Sequence, residues 1–128
     1  MGTIRSFEDL EVWKLGRQIR KKLYEVARRL PEHEKYTLAP QIRNAALSLT
    51  ANLAEGYGRF HFKENVQFGR ISRGSAFELL DHLITCNDEG YINNGELQET
   101  RDELSSFLRL LNGYIRSIGK AADAGKRQ

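Results

Sequence analysis

A glutamate and a histidine four residues apart form the pair in this sequence with the clearest potential for chemistry. Glu78 and His82 would share one face of a helix, and carboxylate and imidazole are both common metal ligands. A di-iron site in a helical bundle, however, needs Glu-x-x-His on two helices. None of the three histidines follows a glutamate by three residues. We therefore predict neither a metal site nor a cofactor.

The sequence carries no recognisable catalytic nucleophile. Cys86 has no sequence context for a nucleophile, and Ser48, Ser72 and Ser75 fall inside predicted helices. The glycine-rich stretch 56–59 joins two helices instead of following a strand, as phosphate-binding loops do. We predict a protein without catalytic residues. An enzyme or ligand-binding bundle remains the alternative, and it would use Asn52, Glu55, Glu78 and His82.

Four amphipathic segments must position these residues. Ser6 and Asp9 have the spacing of a helix cap, and Pro31 ends the first segment. Gly58 and Gly90 are typical of helix ends, and Asn93 is suited to cap the last helix. The predicted helices cover about residues 7–30, 38–57, 61–89 and 95–118.

Each predicted helix has an apolar stripe with spacings of three, four or seven residues. The first contains Val12, Leu15, Ile19, Leu23, Val26 and Leu30. The second contains Leu38, Ile42, Ala45, Leu49, Asn52 and Gly56. The third contains Phe62, Val66, Gly69, Arg73, Ala76, Leu80 and Leu83, and the fourth Leu97, Leu104, Leu108, Leu111, Ile115 and Ile118.

These stripes predict the fold class. No segment alternates with the period of a strand, and short connections favour antiparallel neighbours. The prediction is an all-α, antiparallel, up-down-up-down four-helix bundle that forms a single domain over residues 1–128. The tail 119–128 has no stripe and is predicted to be frayed and disordered.

Polar residues interrupt the predicted seams. Asn52 stands where leucine is expected, and Glu55 needs a cation, which Arg59 is placed to supply. Gly74 would let another helix approach closely. A structural role in fixing register is the simpler interpretation, and a binding pocket is the alternative. The predicted structural polar cluster comprises Arg43, Ser48, Asn52, Glu55, Arg59, Ser75 and Glu78.

Charge is distributed unevenly along the chain, although the net charge is only +3. Residues 14–29 contain seven cations and one acid, Glu25, whereas residues 81–103 contain seven acids and one arginine, Arg101. Such polarity suggests a surface for an anionic partner or a neighbouring subunit. The predicted nucleic-acid-binding residues are Arg17, Arg20, Lys21, Lys22 and Arg28.

Cellular location is predicted from two simple features. The single cysteine, Cys86, cannot form an internal disulfide and suits a reducing compartment. No apolar run approaches the roughly 20 residues that span a bilayer, and no apolar signal core follows the N-terminus. We expect a soluble protein of a bacterial-type cytoplasm with no membrane contact.

Several motifs resemble one family. These are FEDLEVW at 7–13, QIR at 41–43, SLTANLAEGYGR at 48–59 and GSAFEL at 74–79. In type and order they resemble the 23S rRNA intervening-sequence proteins over about residues 7–118. The resemblance implies an antiparallel four-helix bundle, often a homo-oligomeric ring of five. Thr50 stands where the family often has proline, so an unbroken second helix is expected. A related bundle is the accessory variability protein of diversity-generating retroelements, a pentamer that binds nucleic acid and a reverse transcriptase.

Two functional hypotheses follow. The first is a non-enzymatic oligomer, a pentamer by resemblance, that binds RNA or DNA or serves a nucleic-acid-processing protein partner. The alternative is a purely structural or protein-interaction ring. In that ring the basic first helix would face the acidic segment 81–103 of a neighbouring chain. Trp13 and Tyr57 are candidate interface aromatics for it, although Trp13 could equally cap the core.

Overall fold

The computed structural model describes residues 3–127, with side chains through Ala124, and confirms the four-helix bundle. Helix α1 spans Glu11–Arg29, α2 Leu38–Tyr57, α3 Phe62–Asp88 and α4 Asn94–Arg127. Short connections make successive helices antiparallel. Each helix packs chiefly against two neighbours, in the order α1, α2, α3, α4 and back to α1. Helices α1 and α3 therefore occupy opposite corners.

The start of the first helix differs from the prediction. The Ser6–Asp9 capping box forms, but it caps a single turn of 3-10 helix at Phe7–Asp9. Leu10 is then extended, with φ −70° and ψ 127°, and α1 begins at Glu11. Leu10 is buried, so the break turns its side chain into the core. The predicted start at residue 7 was wrong because a cap motif does not specify how many helical turns follow it.

The turn between α3 and α4 forms as its residues predict. Gly90 has a φ of +78°, which favours glycine. The Tyr91 N–H donates to the Cys86 carbonyl at 2.8 Å, and the Gly90 N–H donates to that of Asn87 at 3.1 Å. These bonds close α3 in a Schellman motif. The side-chain oxygen of Asn93 accepts from the Glu96 N–H at 2.8 Å and so caps α4.

The connection between α1 and α2 is tied to that turn. The Tyr91 hydroxyl donates to Glu34 at 2.7 Å, and His33 Nε2 lies 3.0 Å from the same hydroxyl. The bond to Glu34 raises the pKa of Tyr91 to about 12. Thr37 precedes α2, but its hydroxyl donates to Glu34 at 2.5 Å instead of capping the helix. Bonds from Thr37 and Tyr91 lower the pKa of Glu34.

The core contains most of the predicted stripes of α1 and α2, with Ala27, Ala39, Ala46 and Leu53 added. The stripe members Leu15, Leu30, Leu38 and Asn52 are only half-buried. The stripe of α3 was wrong in part: Phe62 is 50% exposed, and Arg73 donates to Asn112 at 3.1 Å. The predicted stripe followed the larger side chains at spacings of three and four, whereas the face that is buried is lined mainly by small ones. The buried face of α3 consists of Gly69, Ser72, Ser75, Ala76, Leu79, Leu83 and Cys86. The stripe of α4 omitted Thr100 and Phe107, both fully buried.

Helix α4 continues far beyond its predicted end at residue 118. Residues 119–127 are helical, so the predicted disorder of the tail was wrong there, and Gln128 lies outside the described residues. Ala121 and Ala122 have the highest helix propensity, and this stretch contains no proline. The apolar stripe ends because α4 runs past the start of α3, where Ala122 lies beside Phe62. Within residues 3–127, no helix is long and apolar enough to cross a membrane.

Two helical glycines lead to opposite predictions. A Cβ at Gly56 would lie 2.7 Å from Asn65 Oδ1 and 2.9 Å from Phe68 Cβ, whereas one at Gly74 would meet nothing within 4 Å. Gly74→Ala should raise the free energy of unfolding by about 0.5–1 kcal/mol. Gly56→Ala should lower it by about 1–3 kcal/mol through overpacking. Urea unfolding followed by circular dichroism measures both, and changes of equal sign would contradict this packing.

Candidate functional site

Three members of the predicted polar cluster meet between α2 and α3. The Ser75 hydroxyl donates to Ser48 Oγ at 2.6 Å, and the Asn52 amide donates to the same oxygen at 2.7 Å. Asn52 also donates to the Ser48 carbonyl at 2.9 Å. Ser75 is buried and the other two are half-buried. All are small and neutral, so this contact joins two helices and offers no charged group for chemistry.

The charged members of that cluster lie elsewhere, and the prediction of one polar set was wrong for them. Glu55 is exposed at the end of α2 and accepts from Arg59 at 2.6 Å, the pair expected from their spacing. Glu78 is exposed and lies 3.0 Å from His82. Residues that are near one another in the sequence of a helix can lie on different faces of it, so Glu55 and Glu78 are exposed although the polar residues near them are not. Among residues 3–124, no three potential metal ligands cluster.

Cys86 is fully buried in the core. Burial, together with the charges of Glu34 and Glu96, raises the pKa of its thiol to about 11. A thiol with such a pKa carries almost no thiolate at neutral pH and is a poor nucleophile. Its position is that of a small apolar core residue.

The cations of α1 divide between two sides of the helix. Lys22 binds Glu99 at 3.0 Å and also Glu103, and Arg29 binds Glu96. These ion pairs join α1 to α4 of the same chain. The acidic segment that suggested a neighbouring subunit is therefore partly satisfied within one chain.

Lys22 and Arg29, the two cations that pair with α4, both have raised pKa values. Burial lowers the pKa of Lys22, but the hydrogen bonds and charges of Glu103 and Glu99 outweigh it, so the pKa is raised overall. The hydrogen bond to Glu96 is the main cause of the raised pKa of Arg29. Stability from the Lys22 pairing is fully present below its ordinary pKa of 10.5 and is lost only as pH rises through the higher folded value. Lys22, predicted to bind nucleic acid, is occupied by α4.

The remaining cations of α1 point away from α4. Arg17, Lys21 and Arg28 are exposed. Neither Arg17 nor Lys21 pairs with a carboxylate of the described residues, and Arg28 pairs with Glu25 one turn away. We call this face, together with the two aromatic side chains that share it, the outer stripe: Trp13, Arg17, Arg20, Lys21, Tyr24 and Arg28.

Arg20 connects the outer stripe to α2. Its guanidinium donates to the Thr50 hydroxyl at 2.8 Å, and Thr50 is buried. This is the position at which a proline was expected by resemblance, and α2 runs through it unbroken. Arg43 lies two helical turns before Thr50 and therefore on the same face of α2. Arg43 therefore does not share the face of Ser48 and Asn52, the polar cluster to which it was assigned.

Two aromatic side chains belong to the outer stripe, and sequence reasoning missed one of them, Tyr24. Trp13 was expected either at an interface or as a cap of the core; it is half-buried against the core, with its ring edge-to-face with Phe7 at 5.2 Å. The Arg17 guanidinium lies over the Trp13 ring, 5.8 Å from its centroid. Tyr24 is also half-buried against the core. The signal was present in the spacing from Trp13 to Arg28, which keeps cations and rings on one side of the helix.

A second surface is apolar and lies on other helices. Leu47 on α2 and Ile71 and Phe77 on α3 are 47%, 51% and 56% exposed. We call these three residues the apolar patch. Single exposed apolar side chains are ordinary, but large ones on two adjacent helices are typical of contact surfaces.

These features define the class of protein: an all-α four-helix bundle with a cationic helix face. The family model of the 23S rRNA-intervening sequence protein matches residues 8–113, and the chain belongs to this family. The chain is also similar to a protein of unknown function from the S23 ribosomal protein family of Bacteroides thetaiotaomicron VPI-5482. Identity is 17% and the TM-score is 0.75 over 81% of this chain and 97% of that one, which shows the fold alone. None of the curated proteins matches.

The ion pairs between α1 and α4 give a stability prediction. Lys22→Ala leaves Glu99 and Glu103 without their shared cation and should lower the free energy of unfolding by about 1 kcal/mol. The adjacent Lys21→Ala removes a solvent-facing charge and should change it by less than about 0.5 kcal/mol. The difference between these variants should shrink in about 1 M salt because of screening. Equal effects of the two substitutions in denaturant titrations would show that the ion pairs between α1 and α4 contribute nothing to stability.

Proposed function

We propose that this protein is a non-enzymatic nucleic-acid-binding protein whose contact surface is the outer stripe of α1. One observation carries the proposal: Arg17 and Lys21 are exposed, have no ion-pair partner among the residues that the structure describes, and lie beside Arg28 on one face of a helix. Elsewhere on α1, Lys22 and Arg29 are neutralised by carboxylates. Unpaired cations on one face are what a phosphate backbone attracts.

Phosphate is a better candidate ligand than a small acidic molecule. The outer stripe extends along the helix and is open, so it suits a polyanion more than a compact ligand that needs an enclosed pocket. Binding would depend strongly on salt, because each phosphate contact releases a counterion. The proposal includes service to a nucleic-acid-processing partner, as the resemblance to accessory variability proteins suggests. The single reduced thiol supports a cytoplasmic location.

Charge reversal tests the proposal. In Arg17→Glu/Lys21→Glu/Arg28→Glu, affinity for mixed-sequence RNA and DNA oligonucleotides should fall by about tenfold or more, and the salt dependence should become shallower. Fluorescence anisotropy at about 50 mM salt measures the affinity, and a series from about 50 to 200 mM salt measures its salt dependence.

The matched control is Lys22→Gln/Arg29→Gln, which removes cations of the same helix that α4 already holds. It should keep its affinity while losing some stability. Absence of binding by the unmodified protein at low salt, or equal losses in the two variants, would refute the proposal.

We further propose that the protein assembles into a homo-oligomeric ring, with the pentamer of the family resemblance as the expected state. The apolar patch favours self-association, because a second copy would remove Leu47, Ile71 and Phe77 from water. If the patch meets a different face of the next copy, the contact is head-to-tail and forms a ring when its rotation closes. The patch lies on α2 and α3, so assembly would leave α1 available. Several copies of the outer stripe would then multiply the phosphate contacts.

Light scattering tests assembly. At micromolar concentration we expect a mass of about five chains for the unmodified protein, and monomers for Ile71→Lys/Phe77→Lys, since two buried charges would oppose the contact. Tyr36→Lys is the control, because Tyr36 is 83% exposed on the α1–α2 connection, away from the patch. A monomeric unmodified protein at moderate salt would contradict the ring, whatever the result for nucleic acid.

A further inference from the structure

The outer stripe alternates between aromatic rings and cations. Along α1, Trp13, Arg17, Lys21, Tyr24 and Arg28 follow one another at intervals of four, four, three and four residues. These intervals hold all five on one face of a helix. From first to last they extend over about 22 Å. A row of this composition differs from a simple solvated basic face, which needs no rings.

The surface along this row is concave in two adjoining places. One shallow depression is lined by Glu8, Trp13, Lys14, Arg17, Gln18 and Lys21. The next is lined by Arg20, Lys21, Tyr24, Glu25 and Arg28. Lys21 borders both, and we call the two depressions together the groove. Each half of the groove thus contains one ring and at least two cations.

Both rings are held in place by the bundle. Trp13 and Tyr24 pack against the buried core and are only partly exposed. The edge of Phe7 packs against Trp13, and the Arg17 guanidinium lies over the indole, 5.8 Å from the ring centroid. A base that stacks on Trp13 must therefore displace the Arg17 side chain from the ring face, whereas the two rings are already held by the core and need little ordering.

We propose that the groove along the outer stripe of α1 binds single-stranded nucleic acid, with bases stacked on Trp13 and Tyr24 between phosphate-binding cations. This inference rests on the proposed function and names its substrate. Unpaired bases expose their faces to aromatic side chains, whereas a duplex buries them in its own stack. Arg17, Lys21 and Arg28 would track the backbone, and a row of this length accommodates roughly six stacked nucleotides.

Glu25 is the acidic group that faces the second half of the groove, and it neutralises Arg28. A phosphate must compete with this carboxylate. Glu25→Gln should therefore strengthen binding of single strands severalfold. A gain in affinity is informative because misfolding would not produce it.

Trp13 is the only tryptophan of the chain and reports directly on the groove. The test titrates the protein with three ligands at low salt: single-stranded RNA of about 12 nucleotides, an abasic oligonucleotide of equal length and charge, and a perfect duplex. The single strand should bind most tightly and quench the Trp13 fluorescence. The abasic strand should bind more weakly and leave the emission unchanged.

Variants of Tyr24 separate stacking from packing. Tyr24→Leu keeps an apolar side chain against the core but removes the ring, and should weaken single-strand binding about tenfold. It should leave abasic binding unchanged, while Tyr24→Phe retains full affinity. Circular dichroism verifies that each variant is folded.

The three titrations distinguish base stacking from phosphate binding. Equal affinity for single, abasic and duplex strands, with constant Trp13 fluorescence, would overturn base stacking while leaving phosphate binding intact. Failure of all three ligands to bind would overturn the proposed function itself. Preference for the duplex would also overturn the inference, because stacked base pairs cannot reach the rings.

Discussion

The ion pairs between α1 and α4 are the interaction on which the character of the surface depends. Lys22 bound to Glu99 and Glu103, and Arg29 bound to Glu96, join the first and last helices of the bundle. They also fix which side of α1 faces α4. The apolar stripe packs α1 against the core, and the ion pairs neutralise two of its cations, Lys22 and Arg29. The cations of the outer stripe are the ones that remain available on the opposite side of the helix.

That row gives the fold its most specific functional feature. The other polar features are accounted for by local structure: Ser48, Asn52 and Ser75 bond to one another, and the exposed carboxylate Glu55 has its own partner. Within the described residues, no buried side-chain nitrogen or oxygen lacks a hydrogen-bond partner. A bundle whose interior is satisfied in this way is a scaffold, and the functional question moves to its outer faces.

Sequence patterns predicted the helices well and their faces less well. The bounds of α2 and the Gly90 and Asn93 caps were correct because periodicity and turn chemistry are local properties. The face of α3 was partly wrong, because Ser72 and Ser75 bury small polar groups that bond to α2. Helix α4 was predicted to end at residue 118 because its apolar stripe ends there, but it continues to Arg127. A stripe marks the residues that pack against other helices, whereas a helix can continue beyond its last packed residue.

The sequence by itself determined that four amphipathic helices would bury their stripes against one another, since that outcome follows from spacing, caps and helix propensity within each segment. It also contained the alternation of rings and cations along α1. Only the tertiary structure decided which charges remain available, because Lys22 and Glu103 are 81 residues apart in the chain. Their contact depends on how α1 and α4 pack. Trp13 and Tyr24 pack against the core on the side of α1 that points away from α4, so the exposed cations there stand beside two fixed rings.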